Sequence, residues 1–254
     1  MKNDQRRLSV ILPWLIPIAL LLLWQLMSSS GLIPSTVLPS PVGVMAAAVR
    51  LLANGELIHH MGISLYRALS GFLIGGITGF ILGLGNGCFK ISALLFDSSV
   101  QMLRNIPHLA LIPLMILWFG IGETPKIILV ALGVLFPIYI NTYHGIKNVD
   151  KELIEMGRAY GLSGWSLFTQ IIFPGALSSI LVGIRYALGV MWTTLIVAET
   201  IAANSGIGYL AMNAREFMQM DIIVLSILIY ALLGKLSDLI AKFFESRWLR
   251  WVQV

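Results

Sequence analysis

The residues of this chain that could do or guide chemistry are few, and most of them sit within or beside long apolar stretches. Arg104, Arg185 and Glu199 carry charge there, where a charge is costly and marks either an ion or substrate path or a buried pair. Arg104 and Arg185 would suit an anionic solute. The simpler reading makes Arg104 the flank of a span, and pairs Arg185 with an acidic residue or with backbone carbonyls. Asn105, His108, Asn141, His144, Thr193, Thr194 and Glu199 are the polar side chains best placed to face a pathway. Each alone equally suits a hydrogen bond to a neighbouring helix. His59, His60, His108 and His144 show no metal-ligand spacing, and Cys88 is the single cysteine, so neither a metal centre nor an internal disulfide is expected. Gly161-Leu-Ser-Gly164 has the Gly-x-Ser-Gly form of an intramembrane serine nucleophile. Such a serine needs a histidine base on a later helix, yet the last histidine, His144, lies upstream. Catalysis is not expected.

The elements that must hold these residues follow from composition. The chain has 254 residues, 57% of them hydrophobic and 11% charged, too few charges to cover a soluble domain. A spanning helix needs about 20 mostly apolar residues. Such stretches occur at Leu8–Met27, Ser64–Gly87, Asn105–Gly122, Ile127–Ile146, Ala176–Thr200 and Asp221–Ala241, giving an all-α membrane protein of about six transmembrane helices. Ser28–Pro41 reads as loop, Val42–Ile58 as a short surface helix, and Ala203–Met220 as a glycine-containing connection. Gly71, Gly75, Gly79, Gly83 and Gly87 recur at every fourth position of the second span, a ridge on which another helix can pack closely. Lys235 and Asp238 are spaced to pair at i, i+3.

Charge sets direction. With the N-terminus inside, Lys2, Arg6, Arg7, Lys90, Lys147, Lys151, Arg158, Lys242, Arg247 and Arg250 fall on the cytoplasmic side. Only Arg50, Arg67, Lys126 and Arg215 fall outside. That bias puts both termini in the cytoplasm and accounts for the net charge of +5 without nucleic acid. The chain then divides into a cytoplasmic N-terminus (1–7), a first span (8–27), an extracytoplasmic segment (28–63), a core (64–246) with a cytoplasmic loop at 147–174, and a cytoplasmic C-terminus (247–254).

That loop is the most informative segment. Residues 151–160 have helical character, Gly161 suits a left-handed helix end, Ser163 can cap a short second helix, and Pro174 suits the first turn of the next span. The product is a helix–break–helix elbow at the membrane surface. In this loop the chain resembles the permease subunits of ABC importers, whose signature runs Glu-Ala-Ala, three residues, Gly, nine residues, Ile-x-Leu-Pro. Glu155, Gly161, Ile171 and Pro174 fall at matching positions, while Met156 and Gly157 replace the alanines and Phe173 the leucine. Gln101–Gly122, Phe136–Asn148 and Val197–Gln219 look like the aliphatic sulfonate branch, with taurine, nitrate and bicarbonate permeases as relatives.

The resemblance implies a type I ABC importer permease (MetI-like) fold in the inner membrane of a bacterium. It also implies a permease homodimer, two cytoplasmic ATPase subunits that bind the ATP, so that this chain needs no cofactor, and an extracytoplasmic solute-binding protein. Glu155, Met156, Gly157, Gly161, Ile171 and Pro174 would then couple to the ATPase. The cargo would be a small organic anion, aliphatic sulfonates first, with taurine, nitrate or bicarbonate as alternatives. An ion-coupled secondary transporter would show two homologous halves, and no such repeat is visible.

Overall fold

The computed structural model describes residues 2–31, 34, 36–201 and 203–249, and side chains at Leu12 and from Leu15 onward within them. The side chains of Lys2, Arg6, Arg7 and Trp14, and residues 250–254 of the expected C-terminal segment, lie outside that description. Helix α1 (Lys2–Ser29) meets the remainder near its C-terminal end, where Trp24 Nε1 donates to the Pro39 carbonyl at 2.9 Å. Helix α2 (Pro41–Ala53) starts at a proline and is capped by Ser40, whose Oγ accepts from the Gly43 N–H at 3.1 Å. It stops short of the expected Ile58. Asn54 and Gly55 form a turn, Gly55 at φ +80°, and Glu56 and Ile58 belong to α3 (Glu56–Cys88).

The glycine ridge of α3 lies along α6 (Glu123–Lys147). A Cβ at Gly71 would stand 2.6 Å from Val130 Cβ, one at Gly83 2.7 Å from the Tyr139 carbonyl, and one at Gly87 2.9 Å from Ile146 Cβ. At Gly75 and Gly79 it would press on the backbone of Ala131 and Leu135. Lipid tails are as apolar as these side chains, so close van der Waals packing, rather than escape from water, holds the pair. Replacing Gly75 by valine is expected to cost at least about 3 kcal/mol, because Ala131 offers backbone rather than a movable side chain. Thermal unfolding of the purified protein in detergent measures it; Gly62, with open space around it, is the control and should tolerate alanine.

Contacts along the ridge rise together in both helices, so α3 and α6 run in the same direction. The chain between them must therefore recross, and here the structure corrects the expected straight span Asn105–Gly122. The return path is α4 (Lys90–Arg104), a 3-10 turn at His108–Leu111, and α5 (Ile112–Phe119), with a bend of 79° between the halves. Pro107 explains the break: it donates no backbone hydrogen bond and disfavours helix at the residue before it. With eight residues, about 12 Å, α5 cannot cross alone.

The loop after α6 holds α7 (Lys151–Ala159) and α8 (Gly164–Leu167), which continues into α9 (Phe173–Ile201). The expected separate short helix and span are thus one rod, Gly164–Ile201. Pro174 has no N–H, and the chain adjusts with a π turn over Phe168–Ile172, closed by the Phe173 N–H on the Phe168 carbonyl. The expected connection after α9 contains a further helix, α10 (Ile207–Glu216), before α11 (Met220–Trp248). Val134 and Ile138 of α6, Met191 and Leu195 of α9, Ile207 of α10 and Ile229 of α11 are among the residues of the main core. Among the described residues, α3, α6, the Gly164–Ile201 rod and α11 are each long and apolar enough to span a membrane. The bent α4–α5 pair passes jointly, and α1 adds the apolar stretch Leu15–Ser29.

Candidate functional site

Two polar assemblies stand at opposite ends of α9. At its start is the elbow. Asp150 caps α7 by accepting from the Glu152 N–H at 2.9 Å. Gly161, at φ +84°, turns the chain, with its N–H on the Arg158 carbonyl at 2.9 Å and the Leu162 N–H on the Gly157 carbonyl at 3.0 Å. Ser163 and Ser166 then form a reciprocal capping box at the head of α8. Gly157 is buried where the limbs touch. A Cβ there would stand 3.0 Å from Leu167 Cδ1 and would overlap Ile171 Cδ1. The elbow is therefore closed on itself through Gly157, Leu167 and Ile171, while Leu153, Glu155, Met156, Tyr160 and Trp165 are exposed. Glu155 and Met156 thus lie on an outward surface that mixes apolar and charged groups.

The other assembly went unrecognised in the sequence. Arg67, expected at the outer flank of a span, is fully buried inside α3. Every one of its guanidinium N–H groups is used. Nε and Nη2 donate to the two Glu123 oxygens at 2.5 and 2.7 Å, and Nη2 also to Ser205 Oγ at 2.9 Å. Nη1 donates to Glu199 Oε1 and to the Ser205 carbonyl, both at 2.7 Å. Glu199 in turn accepts from Ser64 Oγ at 2.9 Å, from the Gly208 N–H at 2.9 Å and from Tyr230 OH at 2.8 Å. The cluster ties α3, α6, α9, α10 and α11 together at one point. Lys126, also assigned outside, is buried too, with Nζ on the Gly122 carbonyl at 2.6 Å.

The remaining candidates separate. His108 Nε2 lies 3.0 Å from Thr194 Oγ1, and Gly133 leaves the room for both. The Asn141 side chain donates to the Pro137 carbonyl of its own helix at 2.9 Å, and its backbone carbonyl accepts from Ser179 Oγ at 2.8 Å. Arg185 bonds Asp238 at 2.6 Å, and Lys235 and Lys242 join that acid at 3.6 and 3.5 Å. Arg104 and Asn105 are exposed at the bend, and His144 and Thr193 are exposed on α6 and α9. Glu199 and Thr194 are enclosed within the fold rather than open to a path. A network unnoticed in the sequence joins Asn86, Ser92, Asp97 and Tyr139: Tyr139 OH donates to Asp97 at 2.7 Å and accepts from Asn86 at 2.8 Å.

Residues 71–250, the ridge, the elbow and the helices between and beyond them, match the family model for the binding-protein-dependent transport system inner membrane component. The permease SsuC of Escherichia coli (strain K12), named for aliphatic sulfonates transport, is 61% identical over 95% of this chain and 92% of its own. The chain belongs to this permease family. The namesake permease of Bacillus subtilis (strain 168) is 42% identical over 98% of this chain and 91% of its own. The taurine transport system permease TauC of Escherichia coli (strain K12) is 32% identical over 91% and 86%. Among solved structures, an amino acid ABC transporter crystallised with histidines superposes with TM-score 0.63 over 80% of this permease and 96% of that chain, at 18% identity. The MetNI methionine ABC transporter in an inward-facing form gives TM-score 0.53 over 70% and 93%, at 19% identity. These two likenesses bear on the fold alone. The permease is a multi-pass inner-membrane subunit of an ABC importer, non-catalytic itself, working with a separate ATPase subunit and a solute-binding protein.

Proposed function

We propose that this permease carries aliphatic sulfonates into the cell, as a homodimer with both termini in the cytoplasm. The observation that carries the substrate is the 61% identity to a permease named for aliphatic sulfonates, against 32% to one named for taurine. The bias of basic residues supports the orientation. So does the fold, in which α11 ends on the same side as the elbow, since Arg185, about midway along α9, meets Asp238 and Glu245 in the C-terminal half of α11.

In this reading the exposed face of α7, with Glu155 and Met156, seats in the ATPase subunit. ATP binding draws the two elbows of the dimer together, and each passes its displacement to the far end of the protein along the unbroken Gly164–Ile201 rod. Substrate enters by shifting the balance between the two resulting states, which needs different contacts in each. The deciding test is growth of the host with an alkanesulfonate as sole sulfur source, with and without this gene. Loss of growth on alkanesulfonate, with normal growth on sulfate, is expected. Normal growth of the deletion strain on alkanesulfonate, with a defect on taurine instead, would transfer the assignment to the taurine group.

A further inference from the structure

Two contacts set the depth of the bend between α4 and α5. Before the bend, Asp97 of α4 accepts from Tyr139 OH at 2.7 Å. After it, His108 Nε2 lies 3.0 Å from Thr194 Oγ1 and against Gly133, where a Cβ would stand 3.2 Å from that nitrogen. At a rise of ~1.5 Å per residue, Tyr139 and Gly133 lie about 12 and about 21 Å from the Lys147 end of α6. Arg104 falls between Asp97 and His108 along the chain, so it sits well inside a hydrocarbon core about 30 Å thick.

The other arginines at membrane depth are neutralised within the chain: Arg67 by Glu123 and Glu199, Arg185 by Asp238. Among the described residues Arg104 has neither an ion-pair nor a hydrogen-bond partner. The chain around it is open. Residues 102–107 are all exposed, and the carbonyls of Arg104, Asn105 and Ile106 accept no backbone hydrogen bond from the described residues. Hydrocarbon satisfies neither a guanidinium nor bare carbonyls, so a bend of this kind lies against protein or lines a water-filled path. A second copy of the chain has no spare counter-ion to offer at this depth, because Asp97, Glu199 and Asp238 are already held by Tyr139, Arg67 and Arg185. A cation on a path with no fixed counter-ion is left for a mobile anion.

We infer that Arg104 is the cation that the substrate's sulfonate group meets midway across the membrane, with the His108–Thr194 contact holding the bend against α9. A sulfonate spreads one negative charge over three oxygens, and the planar guanidinium fork donates two parallel hydrogen bonds to such a group. Met102, Leu103 and Ile106, exposed around the arginine, suit the alkyl chain. The inference rests on the proposed function, which supplies the anion, and adds the residue that reads its charge.

The test uses permease, ATPase and binding protein in proteoliposomes importing radiolabelled ethanesulfonate. Cys88 is the single cysteine and is exposed, so Cys88→Ser should import normally and serve as the parent. In that parent Arg104→Cys is expected to lower the uptake rate about tenfold, the scale of one lost charge-assisted hydrogen bond. Aminoethyl methanethiosulfonate, which reaches the thiol through water and returns a positive charge, should then raise the rate about fivefold. The sulfonatoethyl reagent, which adds a negative charge, should raise it not at all. Arg104→Lys keeps the charge without the fork and should retain about a third of the parental rate. A parent that imports no ethanesulfonate would overturn the proposed function and this inference with it. An active parent, with Arg104→Cys importing at the same rate, would overturn the anion site alone. So would a thiol that mass spectrometry finds unlabelled by either reagent, or equal rates after both. An Arg104→Lys as slow as an Arg104→Gln of equal melting temperature would overturn it too.

Discussion

Replacing Arg67 by methionine is expected to leave little folded permease in the membrane. Among the described residues the guanidinium is the one cation paired with Glu199, and its removal strands a carboxylate that is 1% exposed with Ser64, Tyr230 and the Gly208 N–H as its remaining donors there. Breaking a buried pair from one side costs about 3–5 kcal/mol, a large part of the ~5–15 kcal/mol that holds a typical fold together. Arg67→Lys should not rescue it, since an ammonium offers three donors on a flexible stem and cannot reproduce the fork on Glu123. The paired change Arg67→Met with Glu199→Gln should recover much of the loss, because no buried carboxylate is left unpaired and Glu123, 49% exposed, can turn to water. Glu123 is 49% exposed, so Glu123→Gln should cost less than either buried partner. Membrane yield and melting temperature across the series measure these effects. Equal yields for wild type and Arg67→Met would sink the structural role given to the cluster.

The second large effect belongs to the elbow. Gly157→Leu is expected to yield a folded, inserted transporter whose ATPase no longer drives uptake. The new side chain would have to displace Leu167 and Ile171, prising α7 away from the head of the α8–α9 rod without touching the core around Val134 and Leu195. Glu155→Lys should act at the outer face of the same helix, reversing a charge that the ATPase is proposed to meet. A loss of about 1.4 kcal/mol at that contact already lowers coupling tenfold, and either variant should reach at least that. Reconstituted vesicles report it as the ratio of solute imported to ATP hydrolysed. An unchanged ratio in both variants would remove the docking role from α7.

What the sequence made legible was mainly local. The glycine ridge, the left-handed turn at Gly161 and the cap at Ser163 each depend on residues within a few positions of one another, and all could be read directly. The partner of the ridge could not, because nothing in α3 names α6. Arg67 was missed because a hydropathy window pushes a charge to the edge of its span. The usable signal lay elsewhere, in Glu199: an acid so deep in an apolar stretch needs a cation, and Arg67 with Ser64 stands one turn apart on the helix that supplies it. The prolines of the third span were visible, but the bend they produce is forced by the parallel course of α3 and α6, a fact of tertiary packing. The glycine at 157, read as a departure from the family pattern, proved to sit where a Cβ would overlap Ile171.

In the proposed function this chain forms the path through which an ATPase drives an organic anion inward. The most direct measurement is uptake of radiolabelled alkanesulfonate into proteoliposomes holding the permease and its ATPase, with binding protein on one side and ATP on the other. Accumulation that requires both the binding protein and ATP, and that stops when ATP is replaced by a non-hydrolysable analogue, is the predicted result. Uptake that follows an ion gradient and proceeds without ATP or binding protein would contradict it.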